Sequence, residues 1–166
     1  MQTHIDDSSG SGIKGDQFFD HWQVVWRDLM RGVALFEDDD LSFRPAEAYP
    51  RTVGDILRHI IQLEQGWIHF VIRRELDEWP EQTPSDLGTI DEIKEALDSN
   101  HKNTMNYLST ITMADFERIV NVPGDGMPKL GWILWHVFEQ QIHHRGELFL
   151  CLSLLGKERP KTDRPG

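Results

Sequence analysis

Residues 130–156 read LGWILWHVFEQQIHHRGELFLCLSLLG, and this stretch carries the strongest helical pattern in the chain. A set of its residues recurs at alternating spacings of four and three, which places them on one face of an α-helix. They are Leu130, Leu134, Val137, Gln141, His144, Leu148, Cys151 and Leu155. Pro128 suits the first turn of such a helix, and Gly156 followed by Pro160 suits its end. The pattern predicts a long fourth helix that packs along one face.

Three more helices are predicted upstream from their start signals. Asp16 is a candidate N-cap for helix one. Thr52 can cap helix two, which we expect to end near Arg74, and Thr89 with Glu92 forms a capping box for helix three. No strand pattern of comparable quality occurs, so the sequence predicts an all-α four-helix bundle.

The expected inward faces of these three helices also follow the spacing of three and four. For helix one they are Phe18, Trp22, Val25, Leu29, Val33 and Phe36; for helix two Val53, Ile56, Ile60, Leu63, Trp67 and Phe70; for helix three Ile93, Leu97, Thr104, Met105 and Leu108. We therefore expect a loose leader over residues 1–15, the bundle over 16–156 and a tail over 157–166.

Composition limits the classes of function. A net charge of -11 and a pI near 5.1 disfavour binding to nucleic acid, whose phosphates such a surface repels. The single cysteine, Cys151, lies on the packed face of helix four and is expected to act as a small apolar residue. No apolar run approaches the ~20 residues that a membrane helix needs, and no signal segment precedes the bundle. These features predict a cytoplasmic protein.

Helix four carries polar residues across the face that should enter the core. Gln140 and His144 are four apart and project from the same side, as two ligands of one metal ion must. His59 lies beside the inward face of helix two at a similar depth, so the two helices could converge. Imidazoles suit zinc, nickel or iron, although a single histidine on a helix is more often a core or surface residue.

The neighbouring polar residues are not expected to be metal ligands. His143 points about 100° away from His144 and is expected at the surface or behind the site. Arg145 and Glu147 are expected to form salt bridges or to line the mouth of the site. Glu64 on helix two could support His59 from behind, but a solvated carboxylate is the expectation.

Two segments resemble the signature regions of the DinB/YfiT-like superfamily. They are Thr52-Val-Gly-Asp-Ile-Leu-Arg-His59 and Gln141-Ile-His-His-Arg-Gly-Glu-Leu148. The resemblance implies an up-down-down-up bundle with a long second connection, often a homodimer. It also implies a divalent metal held by one histidine of helix two and by two groups four apart on helix four.

Carried over position by position, the implied metal ligands are His59, Gln140 and His144. Members of the superfamily usually present a histidine or a glutamate where this chain has Gln140. An amide oxygen is a neutral and weaker donor for zinc, nickel or iron, so this chain departs from the pattern at one ligand of three.

Three functions remain open at this point. A metal could lower the pKa of a small-molecule thiol and present its thiolate to an electrophile, as the resemblance implies, in a transferase or isomerase reaction. It could instead activate water for hydrolysis. The third possibility is a non-catalytic, stress-response dimer in which a degenerate metal site survives as a hydrogen-bond network.

Overall fold

Helices form almost all the regular structure in the computed structural model, which describes residues 12–83, 85–122, 124 and 126–162. The α-helices are α1 (Gly15–Phe18), α2 (Asp20–Val33), α3 (Val53–Glu64), α4 (Ile90–Leu108) and α5 (Leu130–Leu154). A π-helix over Gln65–Ile72 continues α3, and 3₁₀ turns cover Asp38–Ser42 and Met113–Glu117. Within the described ranges, β-structure is limited to isolated bridges, so the all-α prediction is confirmed.

The long helices α2 and α5 run parallel. Trp22 of α2 donates a hydrogen bond to Gln141 in the middle of α5, and Gly32 lies against the ring of Phe149 further along both helices. Successive contacts thus advance in the same direction along the two chains.

The helices α3 and α4 run in the opposite direction. His59 contacts His144, and Trp67 contacts His136, so α3 with its π-helical extension is antiparallel to α5. Asn100 of α4 donates to the carbonyl of Ile61 in α3, and Arg58, earlier in α3, donates to the carbonyl of Leu87 just before α4, so the two helices run in the same direction. The up-down-down-up order predicted from the sequence is therefore confirmed.

A buried polar layer divides the core into two apolar clusters. The first cluster contains Leu29, Val33, Leu57, Ile61 and Leu152 among others. The second cluster, at the opposite end of the bundle, is centred on aromatic and aliphatic side chains that include Phe19, Trp22, Ile68, Val71 and Leu134. The polar side chains between them are Glu64, Asn100, His101, Thr104, Gln141 and His144.

Two of the predicted helix starts are confirmed. The Thr52 hydroxyl accepts a hydrogen bond from the Asp55 amide, and the Asp55 carboxylate accepts one from the Thr52 amide. Thr89 and Glu92 make the same reciprocal pair at the start of α4. Both boxes satisfy backbone N–H groups that would otherwise have no partner.

The other two predicted starts were wrong. Lys14 is the N-cap of α1, because the Gln17 side chain accepts from its amide, and Asp16 falls within the first turn. Helix one is also broken at Phe19, which ends α1 and precedes α2. The N-cap of α5 is Lys129, so Pro128 lies before the helix and not within its first turn.

The predicted helix two corresponds to α3 and the π-helix that continues it. In its second half the buried residues differ from those predicted. Leu63, Trp67 and Phe70 are only half-buried, whereas Ile68 and Val71 are fully buried. A π-helix bonds residue i to residue i+5 and so holds more residues per turn, which shifts the phase of the buried face. The sequence pattern assumed an uninterrupted α-helix.

The ends of the described chain contact the bundle. The Gly15 amide donates to the Ile111 carbonyl, and Lys157 donates to the Leu35 carbonyl. Residues 1–11 of the predicted leader and 163–166 of the predicted tail lie outside the described residues. None of the described helices combines the length and the apolar character that a bilayer crossing requires.

Candidate metal centre

His144 is the buried polar residue that defines the candidate site. Only 1% of its surface is exposed, and its Nδ1 bonds a carboxylate oxygen of Glu147 one turn along α5. A carboxylate can only accept, so the Nδ1 atom carries the proton and the Nε2 atom carries the lone pair. That Nε2 atom has no hydrogen-bond partner in the described part of the chain.

Glu147 is itself held in place. The Tyr49 hydroxyl, from the loop before α3, donates to its Oε1 atom, and His143 Nε2 lies 3.6 Å from the same oxygen. Burial raises the pKa of the Glu147 carboxyl. The carboxylate therefore orients the His144 ring, an arrangement that is common behind metal-binding histidines.

His59 lies across the interface between α3 and α5 from His144. The two ring centroids are 5.0 Å apart and the ring planes meet at 85°. Burial and the nearby charge of Arg51 lower the pKa of His59, while a hydrogen bond with Gln62 opposes this shift. The sequence-based expectation that helices two and four converge here is met by the geometry.

Burial and the neighbouring charges lower the pKa of His144 to about 3. Besides burial, the charges of His59, His143 and Arg51 contribute to this shift. His144 is therefore neutral at physiological pH, and its Nε2 lone pair is available to a metal ion without loss of a proton.

Gln140 borders the same space as His144. Both residues line a narrow gap between α3 and α5, whose other walls are Ile60, Leu63, Val137 and Gln141. The structure thus brings His59 and His144 into contact and places Gln140 beside His144 on the wall of one gap.

A second set of donors lies within α5. His143, His144 and Glu147 offer ligand atoms within 4.8 Å of one another and could hold a divalent metal. The sequence predicts Glu147 in a salt bridge or at the site mouth and does not predict its bond to His144. The three-residue spacing between them, which places both on one side of a helix, was the signal that could have identified it.

Glu64 is fully buried, so the expectation of a solvated carboxylate was wrong. Its Oε2 atom accepts from Gln141 Nε2 at 2.9 Å, and Trp22 Nε1 donates to Gln141 Oε1 at 2.6 Å. The other oxygen of Glu64 lies 3.8 Å from His101 Nδ1. Because both ends of the Gln141 amide are engaged, that residue is not available as a metal ligand.

The remaining residues singled out from the sequence have simpler surroundings. Arg145 forms an ion pair with the buried Asp28 at 3.2 Å, as expected of a salt-bridge residue. His143 is exposed. Cys151 is fully buried in the first apolar cluster, and burial raises its thiol pKa, which agrees with a packing role.

Comparison with known proteins places this geometry in context. A family model described as the DinB family matches residues 1–166. A DinB-like protein from Bacillus cereus is 17% identical with a TM-score of 0.69, over 88% of this chain and 95% of its own. A DinB-like protein from Bacillus subtilis is 17% identical with a TM-score of 0.63, over 91% and 98% respectively. At this identity the two structures establish the fold alone. None of the curated proteins compared with this chain matches it.

Proposed function

We propose, from the premise that this chain belongs to the DinB family, that it is a metal-dependent enzyme acting on small-molecule thiols. In this reaction the thiolate sulfur would keep its own carbon, bond to an electrophilic carbon and displace its leaving group, or would add reversibly so that the electrophile isomerises before the thiolate leaves again. His59 and His144 would hold the divalent metal, zinc, nickel or iron, and Gln140 would be the third protein ligand.

The observation that carries this proposal is the His144 Nε2 atom, which is buried and has no hydrogen-bond partner among the described residues. Leaving a buried polar atom unsatisfied is costly unless a ligand binds it. The atom belongs to a neutral imidazole beside a second imidazole, which is a donor set that zinc, nickel and iron accept. The residues therefore fit a divalent metal.

Residues around the metal would each have a different role in the reaction. A bound divalent cation stabilises the thiolate form of a thiol, which is the nucleophile. Glu147 keeps the proton of His144 on Nδ1 and fixes the ring. Ile60, Leu63 and Val137 line the apolar part of the narrow gap beside Gln140 and His144.

Metal content tests the site and separates the two donor sets. Untagged wild type should purify with, or take up, close to one equivalent of zinc, nickel or iron. His144→Ala should lose it, and so should His59→Ala if the ion bridges α3 and α5. His143→Ala is the matched control, because it should lose the metal only if the donors lie within α5. Retention by His59→Ala would exclude the bridging set.

Activity tests the chemistry. Metal-loaded protein should accelerate the reaction of small thiols such as cysteine with an electrophile such as monobromobimane, and His144→Ala should not. Hydrolysis of model esters at the same rate with and without thiol would favour a hydrolase. Absence of metal in wild type after incubation with each ion would favour the non-catalytic bundle.

We also propose that the protein forms a homodimer. Exposed apolar side chains on α5, among them Ile142, Leu150 and Leu154, support this proposal, because large apolar surfaces commonly mark protein interfaces. Light scattering after size-exclusion chromatography would give a mass of two chains, and a mass of one chain would contradict it.

A further inference from the structure

We infer that Arg51 is the specificity residue for a carboxylate group on the substrate at the candidate metal centre. The inference rests on the proposed function for the identity of the site, but binding of the carboxylate to Arg51 can be tested without any metal.

Arg51 lies beside His59 of the candidate site. It immediately precedes Thr52, the N-cap of α3, and it is half-buried. Its Nη2 atom is 3.4 Å from Nε2 of His59. Its charge contributes to the lowered pKa of both His59 and His144. The guanidinium therefore lies against His59, and its charge acts on both histidines.

The charge of Arg51 is not compensated by an acid. No carboxylate in the described part of the chain lies within ion-pair distance of this guanidinium, whose hydrogen-bond partner is the imidazole of His59. By contrast, the partly buried Arg58 and Arg145 pair with Asp55 and Asp28. A half-buried cation without an anion is unusual in a chain with 28 acidic and 17 basic residues.

Glu147 cannot serve as the anion for Arg51, because both of its carboxylate oxygens already accept hydrogen bonds. Glu147 accepts from Tyr49 on one oxygen and from His144 on the other. An anion for Arg51 must therefore come with the ligand. A guanidinium presents parallel N–H donors that match the two oxygens of a carboxylate, so a carboxylate is the group it would select.

Arg51 also couples anion binding to metal binding. The guanidinium repels a divalent cation held by His59 and contacts the Nε2 atom of that histidine. A carboxylate that neutralises Arg51 would remove both effects and so raise the affinity for the metal. By thermodynamic linkage, the metal would raise the affinity for the carboxylate by the same factor.

The first experiment uses the full chain in excess 1,10-phenanthroline, a chelator without carboxylates, titrated with malonate and followed through the arginine side-chain resonances in NMR spectra. Arg51→Gln should weaken malonate binding by at least about tenfold, the usual loss for one charge-assisted pair.

Arg27→Gln removes the same charge from an exposed position on α2 and should bind malonate like wild type. The uncharged analogue malonamide should not bind. Equal malonate affinity in wild type and Arg51→Gln, or tighter binding of inorganic phosphate than of malonate, would overturn the inference.

The second experiment measures zinc affinity with a competing fluorescent chelator, with and without malonate. Malonate should tighten zinc binding to wild type and to Arg27→Gln, relative to its effect on Arg51→Gln. Without malonate, Arg51→Gln should bind zinc about tenfold more tightly than wild type, because a nearby positive charge is gone. Arg51→Lys keeps the charge without the paired donors and should retain the weaker zinc affinity.

The two experiments separate failure of this inference from failure of the proposed function. Zinc binding with no effect of Arg51 on malonate would overturn the inference and leave the metal site standing. Malonate binding through Arg51 in a protein that takes up no metal would support the carboxylate site and overturn the proposed metal-dependent enzyme.

Discussion

The ring of His59 on α3 meets the ring of His144 on α5 edge to face, with centroids 5.0 Å apart. These two helices are antiparallel and come from distant parts of the sequence, so the pair exists only in the packed bundle. A ligand that binds both imidazoles would therefore bind the folded state and not the unfolded chain.

Metal should stabilise the protein through this pair. At a free zinc concentration of about 100 times the dissociation constant, we expect the free energy of unfolding to rise by about 2.7 kcal/mol. Urea unfolding with zinc and with chelator measures this difference. His59→Ala should show none of it, whereas His136→Ala, which changes a histidine two turns away on α5, should keep it.

Acid should destabilise the metal-free protein through His144. Its pKa in the folded state is lowered to about 3 from 6.5, so the unfolded chain takes up a proton that the folded chain does not. The stability that neutral His144 contributes is complete above about pH 6.5 and falls by about 3 kcal/mol between there and pH 4. Burial raises the pKa of Glu147, which acts in the opposite direction over part of this range.

Comparison with His144→Gln isolates the contribution of His144. Urea unfolding in chelator at pH 7 and pH 4 should show a smaller loss of stability in this variant than in wild type. Equal losses in the two proteins would mean that His144 is protonated in the folded state.

Glu147→Gln should weaken metal binding by about 10- to 100-fold, the usual effect of removing the carboxylate behind a metal-binding histidine. Tyr49→Phe removes one hydrogen bond to that carboxylate and should have a smaller effect. Competition with a fluorescent chelator would rank the three proteins. An effect of Tyr49→Phe as large as that of Glu147→Gln would show that orientation by the loop, rather than the carboxylate itself, governs the site.

Gln140→His should strengthen the binding of zinc by at least about tenfold, because an imidazole is a better donor than an amide oxygen. Gln140→Leu should weaken it if the amide is a direct ligand. Calorimetric titration of both variants gives the answer, and unchanged affinity in both would remove residue 140 from the set of ligands.

A methyl group at Gly66 should disrupt the packing of Trp79. A Cβ atom there would lie 2.4 Å from carbons of the Trp79 ring, so we expect Gly66→Ala to cost about 1 to 3 kcal/mol. Gly146→Ala is the matched control, because a Cβ atom at that exposed helical position meets nothing within 4 Å. It should gain up to about 1 kcal/mol from helix propensity. Thermal unfolding measures both, and a red-shifted tryptophan emission would report Trp79 in the first variant.

Local chemistry and long periodic patterns could be predicted from the sequence. Thr52 and Thr89 cap their helices with side chains three residues away, so nothing distant is needed to recognise them. The buried face of α5 followed the predicted spacing through Gln141 and His144, since one uninterrupted α-helix carries it.

The missed features depend on tertiary contacts. The π-helix over Gln65–Ile72 follows from hydrogen bonds that shift by one residue, which spacing does not reveal. Lys14 caps α1 next to Gly15, whose amide donates to the carbonyl of the distant Ile111. The spacing of apolar residues in helix one cannot show that contact. Arg51 has no recognisable sequence signal, because its significance depends on there being no acid near its folded position among the described residues.

Gln140 and Gln141 are adjacent in the sequence but have different structural roles. The Gln141 side chain accepts a hydrogen bond from Trp22 and donates one to Glu64. These two buried hydrogen bonds fix the rotation of α5 about its axis. Residue 140 can then change by single substitutions without turning the helix. If the proposed metal site binds an ion, a substitution at position 140 alone would exchange one donor and change the preferred ion, while the rest of the bundle stayed the same.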